Sequence, residues 1–331
     1  MVKKYARWSP VVVLVACIGL SGCDIDWSDV FDNDNSDDNT ADVEDTDVPG
    51  LNAAVSVYAF DQAYDNLIDF LSNRNDLYRT VEVDLQERAA DTDRDIRPTR
   101  VVIYDDPNVT VPIIAADPRA GLELPPAVLV YQAENDNDND NNDNVGVAYN
   151  NRDYIAARYD VDDAQDALDV LAQDQANLAA EAAGTSITVE GETDRIDTGE
   201  GLVDRTSGND YDTTLDRLVD AINDDNDLDL IAQIDHRVAA RSIGTMLTDN
   251  DDPSTLVLFD SAGEQARLID GGQTVAVDLP VRVLVSRETD GTVHVFYNDP
   301  DYLADRHDLD TDNAVDDLDN TLDDIVGDAI D

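Results

Sequence analysis

A long stretch of this chain occurs twice. Pro98-Thr99-Arg100-Val101-Val102-Ile103-Tyr104-Asp105 returns as Pro253-Ser254-Thr255-Leu256-Val257-Leu258-Phe259-Asp260. At the same offset, Glu123-Leu124-Pro125-Pro126-Ala127-Val128-Leu129-Val130 returns as Asp278-Leu279-Pro280-Val281-Arg282-Val283-Leu284-Val285. Farther on, Val147-Ala148-Tyr149-Asn150-Asn151-Arg152-Asp153-Tyr154-Ile155-Ala156-Ala157-Arg158 returns as Val295-Phe296-Tyr297-Asn298-Asp299-Pro300-Asp301-Tyr302-Leu303-Ala304-Asp305-Arg306, the first copy carrying an Asn/Asp insertion at 135–144. Each copy is one supersecondary unit, so the 331 residues must build two like modules rather than one large core.

Both copies read in the same order. A short strand at Val55–Phe60 precedes a helix whose apolar face is Ala63, Tyr64, Leu67, Ile68 and Leu71, matched by Tyr211, Leu215, Leu218, Val219 and Ile222. An alternating strand follows, with Leu228, Leu230, Ala232 and Ile234 on one face and Asp229, Gln233 and Asp235 on the other. Three further strands come next, at Val101–Tyr104, Val128–Tyr131 and Val145–Tyr149 and at Leu256–Phe259, Val281–Val285 and Val293–Tyr297. Each copy closes with an amphipathic helix, striped by Leu168, Leu171 and Leu178 or by Val315, Leu318, Leu322 and Ile325. The expected fold is α+β, two tandem β-α-β-β-β-β-α modules at 51–185 and 186–331, each a mainly antiparallel sheet with helices on one face. Like modules with half-exposed faces are expected to pack as a pseudo-dimer, and a homodimer is the other way to cover them.

The runs Asp278–Val285 and Tyr297–His307, with Ile234-Asp235-His236 upstream, resemble the domain of unknown function 302 family. The resemblance covers 201–309 well and 53–159 more weakly. It implies a β-α-β(4)-α fold of the TBP-like class, often dimeric, with no established biochemical role. The first copy departs by holding Leu85 where the second has His236, and Tyr159 where it has His307. The second departs at Asp260-Ser261-Ala262-Gly263, where the first keeps the more family-like Asp106-Pro107 and Pro112.

Charge narrows the partners. There are 75 Asp and Glu against 21 Lys and Arg, a net charge of −54, which excludes a phosphate-backbone grip on nucleic acid. Carboxylates this dense hold water and cations where high salt screens their repulsion, as in proteins of salt-loving bacteria. The alternative for such a surface is a basic partner or Ca²⁺. The run Asn135–Asn144 superficially resembles a calcium loop, but Asn141 and Val147 stand where an EF-hand needs Gly and Glu when counted from Asp136.

Residues 1–23 combine Lys3, Lys4 and Arg7 with the apolar stretch Val11–Leu20 and end in Ser21-Gly22-Cys23. The apolar run is short of the ~20 residues a spanning helix needs, so export rather than a transmembrane anchor is expected. Leu20-Ser21-Gly22-Cys23 resembles the bacterial lipobox, which implies a diacylglyceryl Cys23 as the mature first residue and a lipid-anchored protein of the cell envelope, periplasmic in a Gram-negative cell. Which membrane holds it stays open, although Asp24 resembles an inner-membrane retention signal. Residues 24–50 read as an acidic, self-repelling tether. Removing 1–22 leaves no Lys and no cysteine other than the acylated one, so no disulfide or cysteine-ligated metal is expected.

No catalytic motif stands out. A Lys-free mature chain has no phosphate loop of the usual kind, and neither Gly-x-Ser-x-Gly nor His-Glu-x-x-His occurs. All three histidines fall in the second copy, His236, His294 and His307. Each is read first as structural, with Asp235, His236 and His307 as the alternative metal or acid/base set. The positions shared by both copies are Tyr149, Asn150, Tyr154 and Arg158, matched by Tyr297, Asn298, Tyr302 and Arg306, and a shared structural turn accounts for them. The reading is therefore a binding or interaction protein, not an enzyme, for a small ligand or an envelope protein, with no cofactor.

Overall fold

In the first copy, β1 (Leu51–Ser56) leads to α1 (Phe60–Asn73), which buries Ala63, Leu67 and Leu71 at helical spacing. The strand begins and ends earlier than the apolar pattern suggests, because its antiparallel partner runs out at the Ser56–Val145 pair and Phe60 opens the helix instead. Next come β2 (Tyr78–Asp84), α2 (Leu85–Ala90), β3 (Thr99–Asp105), α3 (Pro107–Ala116), β4 (Ala127–Gln132) and β5 (Val145–Asn150). The copy ends in α4 (Arg152–Arg158) and α5 (Gln165–Ala183), the latter stopped by the left-handed Gly184. This computed structural model describes residue 43 and residues 47–133, 144–248, 250–309 and 313–331. The leader with Cys23, most of the tether and loop residues 135–143 lie outside the described residues.

After β6 (Val189–Glu190), the second copy repeats the order: β7 (Leu202–Thr206), α6 (Tyr211–Asp224), β8 (Asp229–Asp235), α7 (His236–Ser242), β9 (Ser254–Asp260), α8 (Ala262–Gly271), β10 (Val281–Arg287), β11 (Val293–Asn298), α9 (Pro300–His307) and α10 (Ala314–Ile330). The sheets run β2-β3-β4-β5-β1-β6 and β8-β9-β10-β11-β7, every pair antiparallel. Even register is repeated: Leu129 faces Ala148 where Leu284 faces Phe296. The chain is thus an α+β protein of two repeated modules, and β6 adds residues beyond 185 to the first sheet.

The edge strands β2 and β8 each carry a bulge, at Arg79/Val81 and at Leu230/Ala232. The strict alternation expected for Leu228–Asp235 therefore breaks at Leu230, since a bulge inserts an extra residue and shifts the faces. His236 does not extend that strand but begins α7, whose first turn Asp235 caps by accepting from the Arg237 N–H.

The central strands explain how the modules meet. Their apolar runs are continuous rather than alternating, and both faces are buried. Val102, Tyr104, Val128, Val130 and Val147 pack beneath α1 and α5, while Val101, Ile103, Leu129 and Ala148 enter a core shared with the second copy. A continuous apolar run needs cover on both sides, and here helices supply one side and the sister module the other. No described helix is long and apolar enough to cross a membrane.

Candidate functional site

Where the modules meet, the repeated Arg, Asn and acid assemble twice. Arg158 ends α4, a helix begun by Asn151, whose side chain accepts from the Tyr154 N–H. Its Nη1 donates to Glu123 Oε1 at 2.7 Å and to the Tyr154 hydroxyl at 2.8 Å. Its Nη2 crosses to the second copy, donating to Asn298 Oδ1 and to the Glu200 carbonyl, both at 2.8 Å. Asn298 Nδ2 returns a bond to Glu123 Oε1 at 3.2 Å.

The counterpart is reciprocal. Arg306 Nη1 donates to Asp278 Oδ2 at 2.8 Å, Nη2 crosses to Asn150 Oδ1 at 2.7 Å, and Nε reaches the Pro49 carbonyl at 2.9 Å. Asn150 Nδ2 returns a bond to Asp278 Oδ1 at 2.7 Å. Each guanidinium also lies over a tyrosine of the other copy, Arg306 4.0 Å from the Tyr154 ring centre and Arg158 4.9 Å from that of Tyr302. The Arg158 and Arg306 side chains are 0% and 1% exposed, so these are fully desolvated ion pairs that need every hydrogen bond they make.

Two glycines make room for this. Gly50 and Gly201 sit at φ +71° and +63°, and a Cβ on either would overlap the Tyr154 or Tyr302 side chain. Their carbonyls accept from the Asn151 and Asp299 N–H groups, closing the same turn in both copies.

The third partner of each carboxylate differs between copies. The Tyr159 hydroxyl donates to Glu123 Oε1 at 3.2 Å, whereas His307 Nε2 donates to Asp278 Oδ2 at 2.8 Å and its Nδ1 accepts from Thr274 at 3.0 Å. Burial pushes the His307 pKa down, and this tautomer satisfies both nitrogens with the ring neutral. Burial alone would raise Asp278, but the Arg306 charge, aided by His307 and Asn150, holds it well below the usual carboxylate range.

His236 belongs to a separate set. Its Nε2 donates to the Leu124 carbonyl of the first copy at 3.0 Å and its Nδ1 accepts from Ser254 at 3.0 Å. Burial lowers its pKa to about 4, so it stays neutral. Asp235 turns to Arg237, with Oδ2 2.9 Å from Nη2. Asp235, His236 and His307 thus share no partner, and no described group of three or more His, Cys, Asp or Glu is placed to hold a metal. His294 stacks on Phe296 at 5.5 Å and bonds Asp204 at 2.7 Å. Tyr149 and Tyr297 lie in the cores, Tyr149 accepting from Asn52, because strand alternation turns them away from Asn150 and Asn298.

Seven of the residues singled out in the sequence therefore meet: Asn150, Tyr154, Arg158, Asn298, Tyr302, Arg306 and His307. Glu123 and Asp278, which anchor both halves, were visible only as acids preceding the repeated Leu-Pro, a peptide that is cis in both copies.

This chain belongs to the family described as domain of unknown function DUF302, which matches residues 53–178 and 203–327. Among curated proteins it is similar to the fluoride-specific ion channel FluC 1 of Brucella suis biovar 1 (strain 1330) and to FluC 1 of Brucella abortus biovar 1 (strain 9-941), each 30% identical over 82 residues. That similarity covers 25% of this chain and only 31% and 29% of those channels. Among solved structures, an uncharacterized conserved DUF302 protein from Bacillus stearothermophilus is 16% identical, covering 40% of this chain and 96% of that one, with a TM-score of 0.32.

Proposed function

We propose that the chain is a lipid-anchored binding protein of the cell envelope, adapted to high salt, whose two modules act as one rigid body. Cys23 would carry the lipid and the acidic tether would hold the modules off the membrane. The observation that best supports binding over chemistry is the state of the polar residues the copies share. Arg158, Arg306, Glu123 and Asp278 are buried and used by one another, and both ring nitrogens of His236 and His307 are occupied. A general acid or base needs a lone pair or proton facing a substrate, and these groups face protein instead. Halophily is supported by a mature composition with 75 acids and no Lys.

The test of anchoring is the mass of the N-terminal peptide from protein purified out of bacterial membranes. A peptide beginning at Cys23 and carrying diacylglycerol is expected. An unmodified Cys23, or a chain still beginning at Met1, contradicts the anchor.

A further inference from the structure

The segment just ahead of each module is held by the joint. Ahead of the second module it is the linker, which has to cross because it connects the two. The Glu200 carbonyl accepts from Arg158, and the Gly199 N–H donates to the Arg158 carbonyl at 2.9 Å. Ahead of the first module it is the end of the acidic tether, which connects nothing to the second module. Yet it is held in the same way. The Pro49 carbonyl accepts from Arg306 of the second module at 2.9 Å, and the Gly50 N–H donates to the linker's Glu192 carbonyl at 3.0 Å.

The tether's last two valines go further than these turns require. Val43 and Val48 stand among Asp42, Glu44, Asp45 and Asp47, a composition that keeps a segment in water. They are nevertheless 1% and 5% exposed, and both enter the core that the modules share. Val43 lines a cavity of about 420 Å³ with a wall from each module, Ile96, Tyr131 and Ala133 on one side and Ile269, Gly272 and Thr274 on the other. Thr274 also donates to His307, the third partner of Asp278, so the seat of Val43 adjoins the Arg306 half of the joint.

A spacer needs no buried side chain, whereas a fastening between two bodies needs one that touches both. We propose that Val43 and residues 47–50 form a strap that closes the joint, so that the end of the tether is a working part of the two-module body and at most 24–42 is left as spacer. Burying Val43 removes apolar surface of the tether and of both modules from water at once, which ties the modules through a segment that belongs to neither sheet. A pull on Cys23 would then reach both modules and not the first alone. The strap closes the joint whether or not Cys23 is acylated, so the anchor and the strap fail separately.

The experiment is hydrogen exchange followed by mass spectrometry on the full chain in molar KCl. It compares the wild type with Val43→Asp, with the milder Val43→Ala, and with Val30→Asp, which makes the same charge change within the spacer. Val43→Asp puts a carboxylate into an apolar seat and should speed exchange about tenfold or more around Ile96 and Ala133 in the first module and around Ile269 and Thr274 in the second. Val43→Ala removes two methyl groups and should speed the same amides on both walls by a smaller factor. Val30→Asp should leave them at the wild-type rate. Exchange in both Val43 variants equal to that of Val30→Asp overturns the strap. So does acceleration confined to one module, which would mean that the tether packs on that module without fastening it to the other.

Discussion

At the joint, Arg158 and Arg306 each bond an acid of their own copy, an asparagine of the other copy and a carbonyl just ahead of the other copy's first strand. At the turn after the third strand, the copies part company: Asp106 caps its helix while Ser261 does not, and Asp105 is satisfied within its module while Asp260 reaches across to Arg88. Groups that must satisfy each other without water cannot change one at a time, because removing one strands a buried charge. A turn that opens on a cleft is free of that constraint. The symmetric region is therefore the one that builds the body, and the asymmetric turn is the one free to diverge between the copies.

The largest expected effect tests the symmetric half of this comparison. Arg158→Met and Arg306→Met should each destabilise by about 3–5 kcal/mol, because each strands a buried carboxylate and an asparagine of the other module. Urea unfolding in molar KCl measures both. Costs under about 1 kcal/mol, in the range of surface pairs, would mean the joint does not hold the modules.

His236 tests a point where the copies differ, since the first has Leu85 there. Its pKa is about 4 in the fold against 6.5 unfolded, so the neutral ring contributes stability that is full above pH 6.5 and is lost as pH falls toward 4. The difference corresponds to about 3 kcal/mol by linkage. Subtracting the stability of His236→Leu from that of the wild type across pH 7 to 4 should expose this loss. A difference that stays flat with pH would show that His236 is not held neutral.

Smaller effects come from the turns. Gly50→Ala and Gly201→Ala should each cost at least about 1 kcal/mol and by similar amounts, since both force a side chain into left-handed backbone and into a tyrosine. Smallest is the loss of the cap residue: Asp106→Ala should cost about 1 kcal/mol, whereas Ser261→Ala should cost next to nothing, because Ser261 makes no cap hydrogen bond. A lowered thermal midpoint for Asp106→Ala alone would show that the two turns differ by their caps; equal losses would show that Ser261 is held by something else.

Most of the fold was legible because its signals are local. Helical spacing found α1, α5, α6 and α10, and the repeat fixed their order twice over. The bulge at Leu230 was not legible, because an extra residue on an edge strand leaves the apolar pattern nearly unchanged. The sharing of Arg158 with Asn298 was hidden for another reason: residues far apart in sequence meet only when two continuous apolar strand runs bury their second faces against each other. The persistence of Asn, Tyr and Arg in both copies did signal a shared role. It did not distinguish a turn within each module from a joint between them, and Tyr149 and Tyr297, equally persistent, went to the cores.

The central claim is that the two modules are one cooperative body held by reciprocal buried arginines. Hydrogen exchange followed by mass spectrometry at increasing urea, on the wild type and on Arg306→Met, reads both modules separately. The account predicts that core amides of both sheets, around Val102 and around Val257, open at one urea midpoint and that Arg306→Met lowers both together. Separate midpoints in the wild type, or a shift confined to the second module, would contradict it.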